Sequence, residues 1–390
     1  MPTDASLVIF ALFLGIGVYL LMFRTAKAQR HWDTTYATIA AIFGLSCLTI
    51  SVVNGSVVND IRGASYPLYF FFATPIAVGV MLVRDPLRQL VIGVRASLVV
   101  IGFWALADLA AGGARFGMGS NAANAAFAIA FLAILSRLQI KDAPRLLSHR
   151  HVFFYISLIP ISASQTRAVL PVFLIGFLLD LFNLLRRDIN GSRLAARYNS
   201  IIWISLLGFV AVCSWTLSPR YAERLLYTAQ EFTDYYNSVE VSTAPGVILR
   251  ATQWRAALDL IAEYPLLGRG GAGLSEAIIE RSPPQYHEAL RTFTYVHNFV
   301  LDEILQRGLL GLALTIGFFG FCFARTYNRG NASTKENVIL MIVLSFSFGM
   351  LHYLLTIDRH VALYALYFTF LTASNRSWRP PTQKGSASNE

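Results

Sequence analysis

Apolar runs separated by short basic or turn-rich breaks recur along nearly the whole chain. Runs of about 18 or more apolar residues have the length of a helix that crosses a bilayer. Read between the breaks, they predict eleven spans, near 6–23, 36–53, 65–83, 95–111, 120–136, 151–166, 168–185, 200–217, 299–324, 338–354 and 360–374. The expected fold is therefore all-α, a polytopic membrane protein of about 11–12 transmembrane helices. Composition agrees: of 390 residues, 55% are hydrophobic and 14% charged, with a mean hydropathy of +0.53. A soluble domain carries nearer a quarter charged residues. Arg24 is the first basic residue and follows the first apolar run, so that run reads as a span and not as a cleavable signal. Cys47, Cys213 and Cys322 all fall within predicted spans, which supports neither a disulfide framework nor a cysteine metal site.

Charge orients the spans. Dense Lys and Arg mark RTAKAQR at 24–30, the 84–95 loop, RLQIKDAPRLLSHR at 137–150, RRDINGSRLAAR at 186–197, RTYNRGNASTK at 325–335 and the C-terminal tail. These alternate without a break with the other connections, which by the positive-inside rule places them in the cytoplasm. Lys27, Lys141, Lys335 and Lys384 all lie on that side. The net charge of +10 is thus explained by topology, and a nucleic-acid partner is not expected. The chain divides into helices one to eight (1–217), an outer loop (218–298), helices nine to eleven (299–374) and a cytoplasmic tail (375–390). That loop is the only segment large enough for a small extramembrane domain.

Four outer-face pieces could carry chemistry. SASQTRA (Ser162–Ala168) sets Arg167 in a short turn between two spans, either as a functional charge or as an arginine snorkelling to lipid phosphate. LRATQWRAALDLIAEYPLLGRGGAG (Leu249–Gly273) opens with helical spacing at Trp254, Ala257, Leu258, Ile261 and Ala262, predicting an amphipathic helix at the membrane surface. Pro265 and the glycines end it. Arg250 precedes Trp254 by about one turn; Arg255 reads more simply as a snorkelling residue. GRGGAG resembles a phosphate-binding glycine loop, but no strand precedes it. YVHNFVLDEILQRGLLGLAL (Tyr295–Leu314) places His297 and Asn298 at the outer mouth of the ninth span, where His297 is either an interfacial residue or a general base. TIDRH (Thr356–His360) adds Arg359 and His360, which either meet the same cavity or anchor helix ends.

Arginines gathered with one histidine suit a phosphorylated leaving group. The guanidinium is a permanently charged fork that matches phosphate oxygens. A departing pyrophosphate needs that neutralisation, and a histidine can take the proton of an incoming hydroxyl. The early outer loops offer Asp60 but no paired acids to hold a divalent metal, so metal-independent transfer is expected.

Three of these pieces, S-Q-T-R-A (Ser164–Ala168), R-x-x-x-W…PLLGRG (Arg250–Gly270) and HN…GLLG (His297–Gly311), occur in an order that resembles the O-antigen ligase and O-antigen polymerase superfamily. That resemblance implies a GT-C-like membrane glycosyltransferase with one large periplasmic loop, in the bacterial inner membrane with its active site facing the periplasm. It implies a donor glycan on undecaprenyl pyrophosphate, a lipid A–core sugar hydroxyl as acceptor, inversion at the anomeric centre, and no cofactor or metal. Carried across, Arg167 and Arg250 grip the pyrophosphate, His297 activates the acceptor hydroxyl and Asn298 supports it; Arg255 is the alternative to Arg250. Such ligases commonly have twelve spans, one more than the eleven counted here. A polymerase and a protein O-oligosaccharyltransferase share these motifs, and modest length with a single large loop leans toward the ligase. A lipid-linked glycan transporter would place charged sites near the bilayer midplane. The in-span acids picked out for that comparison are Asp108 and Asp180, each near a helix end.

Overall fold

The computed structural model describes residues 5–23, 33–56, 61–80, 83–113, 115–119, 121–188, 246–293, 295–355 and 357–377, with single residues 208, 226 and 233. The span expected near 200–217 apart from residue 208, Cys213, Asp60, the 24–30 segment, most of 218–245 and the tail beyond 377 lie outside them. All regular structure among the described residues is helical: α1 (Ala5–Phe23), α2 (Thr34–Val53), α3 (Ile61–Val80), α4 (Pro86–Ala110), α5 (Ala122–Ser136), α6 (Arg150–Ile156), α7 (Leu158–Ser164), α8 (Leu170–Asp188), α9 (Gly246–Glu263), α10 (Leu274–Glu280), α11 (His287–Leu290), α12 (Phe299–Arg329), α13 (Ala332–Gly349) and α14 (Asp358–Ser377). Three of these, α2, α4 and α12, are long and apolar enough to cross a membrane.

α5 (AANAAFAIAFLAILS) is the hub. It is apolar on every side and almost wholly buried, as an all-round hydrophobic helix must be. Its alanines let α4, α6, α7 and α13 approach closely. The outer faces of α2 and α4 instead present Leu45, Val53, Val100 and Phe103, each more than 60% exposed. Exposed apolar surface on helices of this length fits a hydrocarbon surrounding. The stretch 151–166, expected as one span, is two short helices meeting at Ser157. Pro160 has no N–H to give to the carbonyl of Ile156, and the Ser157 hydroxyl bonds the Phe154 carbonyl at 2.6 Å instead.

Connections that the charge pattern assigned to one side meet at one end of the bundle. Arg137 grips Asp180 with both arms at 2.6 and 2.8 Å, and His151, Tyr155, Arg150 and Glu336 join the cluster. Arg95 closes the end of α5 by donating to the Ser136 and Leu138 carbonyls. Arg325 pairs with Asp33. The other connections, 54–56, 113–121, 163–169, 264–273 and 295–298, bond among themselves at the opposite end.

Candidate functional site

α9 buries Leu249, Thr252, Gln253, Ala256, Ala257 and Leu260. The expected stripe included Leu258, which is 57% exposed; the buried face is rotated because α9 packs on α10 and α12 rather than lying on its own. Ala256, Ala257 and Leu260 form a small core with Leu274, Ala277, Ile278, Val296 and Leu305. The Trp254 indole donates to the Val296 carbonyl at 2.9 Å. This bond is what the R-x-x-x-W spacing accomplishes: Trp254 fixes the residue before His297, and Arg250, one turn back, comes within electrostatic reach of that histidine.

His297 has φ +56°, a left-handed conformation that costs a non-glycine residue on the order of 1–3 kcal/mol. Its Nδ1 lies 2.8 Å from the Tyr295 carbonyl. A carbonyl only accepts, so the proton of the neutral ring resides on Nδ1 and the lone pair on Nε2. Burial lowers the histidine's pKa, and the Arg250 charge lowers it further against the opposing bond to Tyr295. Both act to keep that lone pair available. Phe293, Tyr353 and His352 surround the ring at centroid distances of 5.2, 5.6 and 6.2 Å. Asn298 caps α12, its side-chain oxygen accepting from Val300 and Leu301 at 3.0 and 3.1 Å while its amide donates to the Met350 carbonyl at 3.4 Å. It holds the histidine's backbone rather than a reacting group.

The glycine runs dock on each other. α12 is broken at Gly308 (φ +69°), which exposes backbone groups that would otherwise bond within the helix. The PLLGRG loop takes them up: Leu309 N–H donates to the Pro265 carbonyl at 2.8 Å, Leu310 to Leu266 at 3.2 Å, and Arg269 to Leu305 at 2.8 Å. A Cβ on Gly308 would meet the Leu266 carbonyl oxygen at 2.1 Å, and one on Gly268 (φ +70°) the Arg307 nitrogen at 2.6 Å. Asn54 completes the clasp by donating to the carbonyls of Gln306 (2.7 Å) and Leu267 (3.1 Å). GRGGAG is thus a backbone clasp on the α12 break, which accounts for its glycines without a nucleotide.

Arg167 stands exposed on a 3-10 turn, Arg167–Val169, just after Gln165 turns through φ +57°. Two bonds tie this turn to the 113–121 connection: Arg115 Nε donates to the Ser164 carbonyl at 2.7 Å and Phe116 N–H to Ala163 at 3.0 Å. Arg255 is exposed on the outer side of α9. His360 is buried, its ring 4.0 Å from that of Phe127 and 5.7 Å from that of Phe348; Arg359 acts on it electrostatically from the half-exposed start of α14.

Arg115 and His352 belong to no motif read from the sequence. Burial, followed by the charges of Arg250, His297 and Arg115, pushes the His352 imidazole down to about 3. Arg115, together with Arg250 and His297 from the 218–298 segment, therefore comes within electrostatic reach of His352, four residues from three connections. Among the described residues neither Arg250 nor Arg115 forms an ion pair. The first turns of α12 also bury two acids, Asp302 and Glu303. Arg307 neutralises Glu303 at 2.9 and 3.0 Å, and Tyr66 donates to the same carboxylate at 3.1 Å.

Unpaired arginine charge near a neutral histidine whose Nδ1 is committed to a carbonyl is equipped to accept a proton at Nε2 while holding a negatively charged group. Residues 151–316 match the family described as O-antigen ligase. Those residues, somewhat under half of the chain, are thus similar to the O-antigen ligase and polymerase superfamily. The matched region holds the SQTRA turn, Arg250, the PLLGRG clasp and His297, while Arg115 and His352 lie outside it. Members of the O-antigen ligase family are glycosyltransferase-like membrane enzymes, with lipid-linked glycans and lipid acceptors as their general substrates. No curated protein matches the chain.

Proposed function

We propose that this protein is an O-antigen ligase of the bacterial inner membrane, moving a glycan from undecaprenyl pyrophosphate to a lipid A–core sugar hydroxyl at the periplasmic face. The observation that carries the reading is His297, locked as the Nδ1–H tautomer by Tyr295 with Arg250 alongside. His297 Nε2 takes the proton of the acceptor hydroxyl as its oxygen bonds the anomeric carbon. The carbon–oxygen bond to pyrophosphate breaks, and the leaving group departs with the electron pair. Attack opposite the leaving group inverts the anomeric centre. Arg167 and Arg250 offset the growing charge, a task that divalent cations perform in other transferases. Asn298 and the PLLGRG clasp set the start of α12 and hence the direction of Nε2. In this reading the chain has a GT-C-like arrangement, 218–298 forms the periplasmic loop, and the end of the bundle holding Arg137 and Asp180 faces the cytoplasm.

The test is transfer by the purified protein supplied with lipid-linked O-antigen and lipid A–core, read by gel against His297→Ala. Glycan on lipid A–core, lost in the variant, is the expected result. A ladder of longer lipid-linked glycans, indifferent to lipid A–core, would make the protein a polymerase using the same site. No product of either kind from substrates that another ligase consumes would sink the transferase reading.

A further inference from the structure

Arg115 lies outside the matched family region, yet it is built into the same place as the residues inside it. Its Nε is committed to the Ser164 carbonyl at 2.7 Å, within the turn that presents Arg167, and the neighbouring Phe116 N–H locks that turn a second time. This leaves the outer edge of the fork, its two Nη groups, in the geometry that pairs with phosphate oxygens. The charge reaches His352, which Arg250 and His297 reach as well. Arg115 and Arg167 are exposed and Arg250 is half-buried, so their positive potential is open to an anion arriving from outside. Among the described residues no carboxylate pairs with Arg115 or Arg250, and the Arg250 Nε is buried without a hydrogen-bond partner.

We propose that Arg115 is a third arginine ligand of the donor's phosphate groups, acting with Arg167 and Arg250. The inference rests on the lipid-pyrophosphate reading given above. Its structural competitor is that Arg115 serves only to tie the 113–121 connection to the SQTRA turn.

One substitution separates the two. A glutamine amide nitrogen occupies the position of an arginine Nε, three carbons from Cα, so Arg115→Gln retains the donor to Ser164 while removing the charge and both Nη groups. Arg115→Ala removes everything. The measurement is binding of glycan-free undecaprenyl pyrophosphate to the full-length protein in nanodiscs, accompanied by thermal melting. Loss of a charged hydrogen-bond partner weakens binding by about 10- to 100-fold. The expected result is weakening of that size in Arg115→Gln at an unchanged melting temperature, with a raised KM for donor and an unchanged KM for acceptor. Binding equal to that of the unaltered chain in Arg115→Gln, with Arg115→Ala melting early, would overturn the proposal in favour of the tie alone. Absence of binding by the unaltered chain itself would overturn the donor reading, and the role of Arg115 with it.

Discussion

Two arginine clusters occupy opposite ends of this bundle, and they are built differently. At one end Arg137 is sealed from solvent, held bidentately by Asp180 and flanked by Glu336, with a histidine and a tyrosine closing the carboxylate's remaining positions. At the other end Arg115 and Arg250 stand near two histidines and no paired carboxylate. The residue type is the same, but one site is neutralised by the chain itself, while at the other no carboxylate among the described residues pairs with Arg115 or Arg250. In the proposed reading the donor's phosphates supply that charge. Arg307 with Glu303 follows the first pattern within α12. The presence of arginine in an apolar chain therefore does not by itself mark function, and neither does a missing counter-charge, since Arg95 is buried with carbonyl partners alone.

That contrast can be broken from either end. The largest effect is expected at His297. His297→Ala removes the proton acceptor but no apolar packing, and transfer should fall by about 10²- to 10⁴-fold with membrane insertion unchanged. An active, well-inserted variant would reduce His297 to an interfacial side chain. At the paired end the effect should be on stability alone. Asp180→Asn leaves Arg137 buried without its counter-ion, at a cost of about 3–5 kcal/mol. A lowered melting temperature in detergent should accompany normal turnover per folded molecule; lost turnover in a well-folded variant would make that end functional too.

Smaller effects should follow from keeping charge while changing shape. Lysine at position 250 or 167 supplies a point charge in place of a fork, and kcat/KM should drop by about 10- to 100-fold. Near-normal rates in both variants would sink the clamp. The smallest effect concerns pH. His297 must be neutral to act, and burial together with Arg250 lowers its pKa. The acid limb of the kcat/KM profile should thus lie below the ordinary histidine value of about 6.5. His352, Tyr353 and Phe293 also face the ring, but Arg250 is the nearby permanent charge acting on it. In Arg250→Gln the limb of the residual activity should move up, by a fraction of a unit. A limb at or above the ordinary value in the unaltered enzyme would show that His297 is not held in this way.

Much of the architecture was readable one segment at a time. Ten of the eleven apolar runs overlap described helices, three of them long and apolar enough to cross a membrane, since apolar run length and basic breaks are local quantities. Among the described residues, three of the six basic segments, 84–95, 137–150 and 325–335, bond to one another. His297, Arg250 and Trp254 could be singled out because each sits in a compact motif. Other readings failed where a helix's surroundings are set by remote partners. Leu258 faces outward because α9 docks against α10 and α12, and periodicity alone gives a stripe without saying which neighbour will cover it. The GRGGAG run lacks the preceding strand of a phosphate loop, and spacing alone could not give the reason for its glycines, a broken helix some forty residues later in the chain.

By itself, then, the sequence determined the helical character of the described residues, with three helices long and apolar enough to cross a membrane, and which motifs the chain carries and in what order. These follow from hydrophobicity and spacing, which each segment owns regardless of its partners. Only the tertiary structure decided that PLLGRG closes the Gly308 break, that Trp254 holds the backbone of His297, and that Arg115 and His352 join Arg250. Those outcomes depend on contacts such as that of Asn54 with Gln306, 252 positions apart, and on which charges find a counter-ion once the helices pack. Neither is a property of any one stretch of chain.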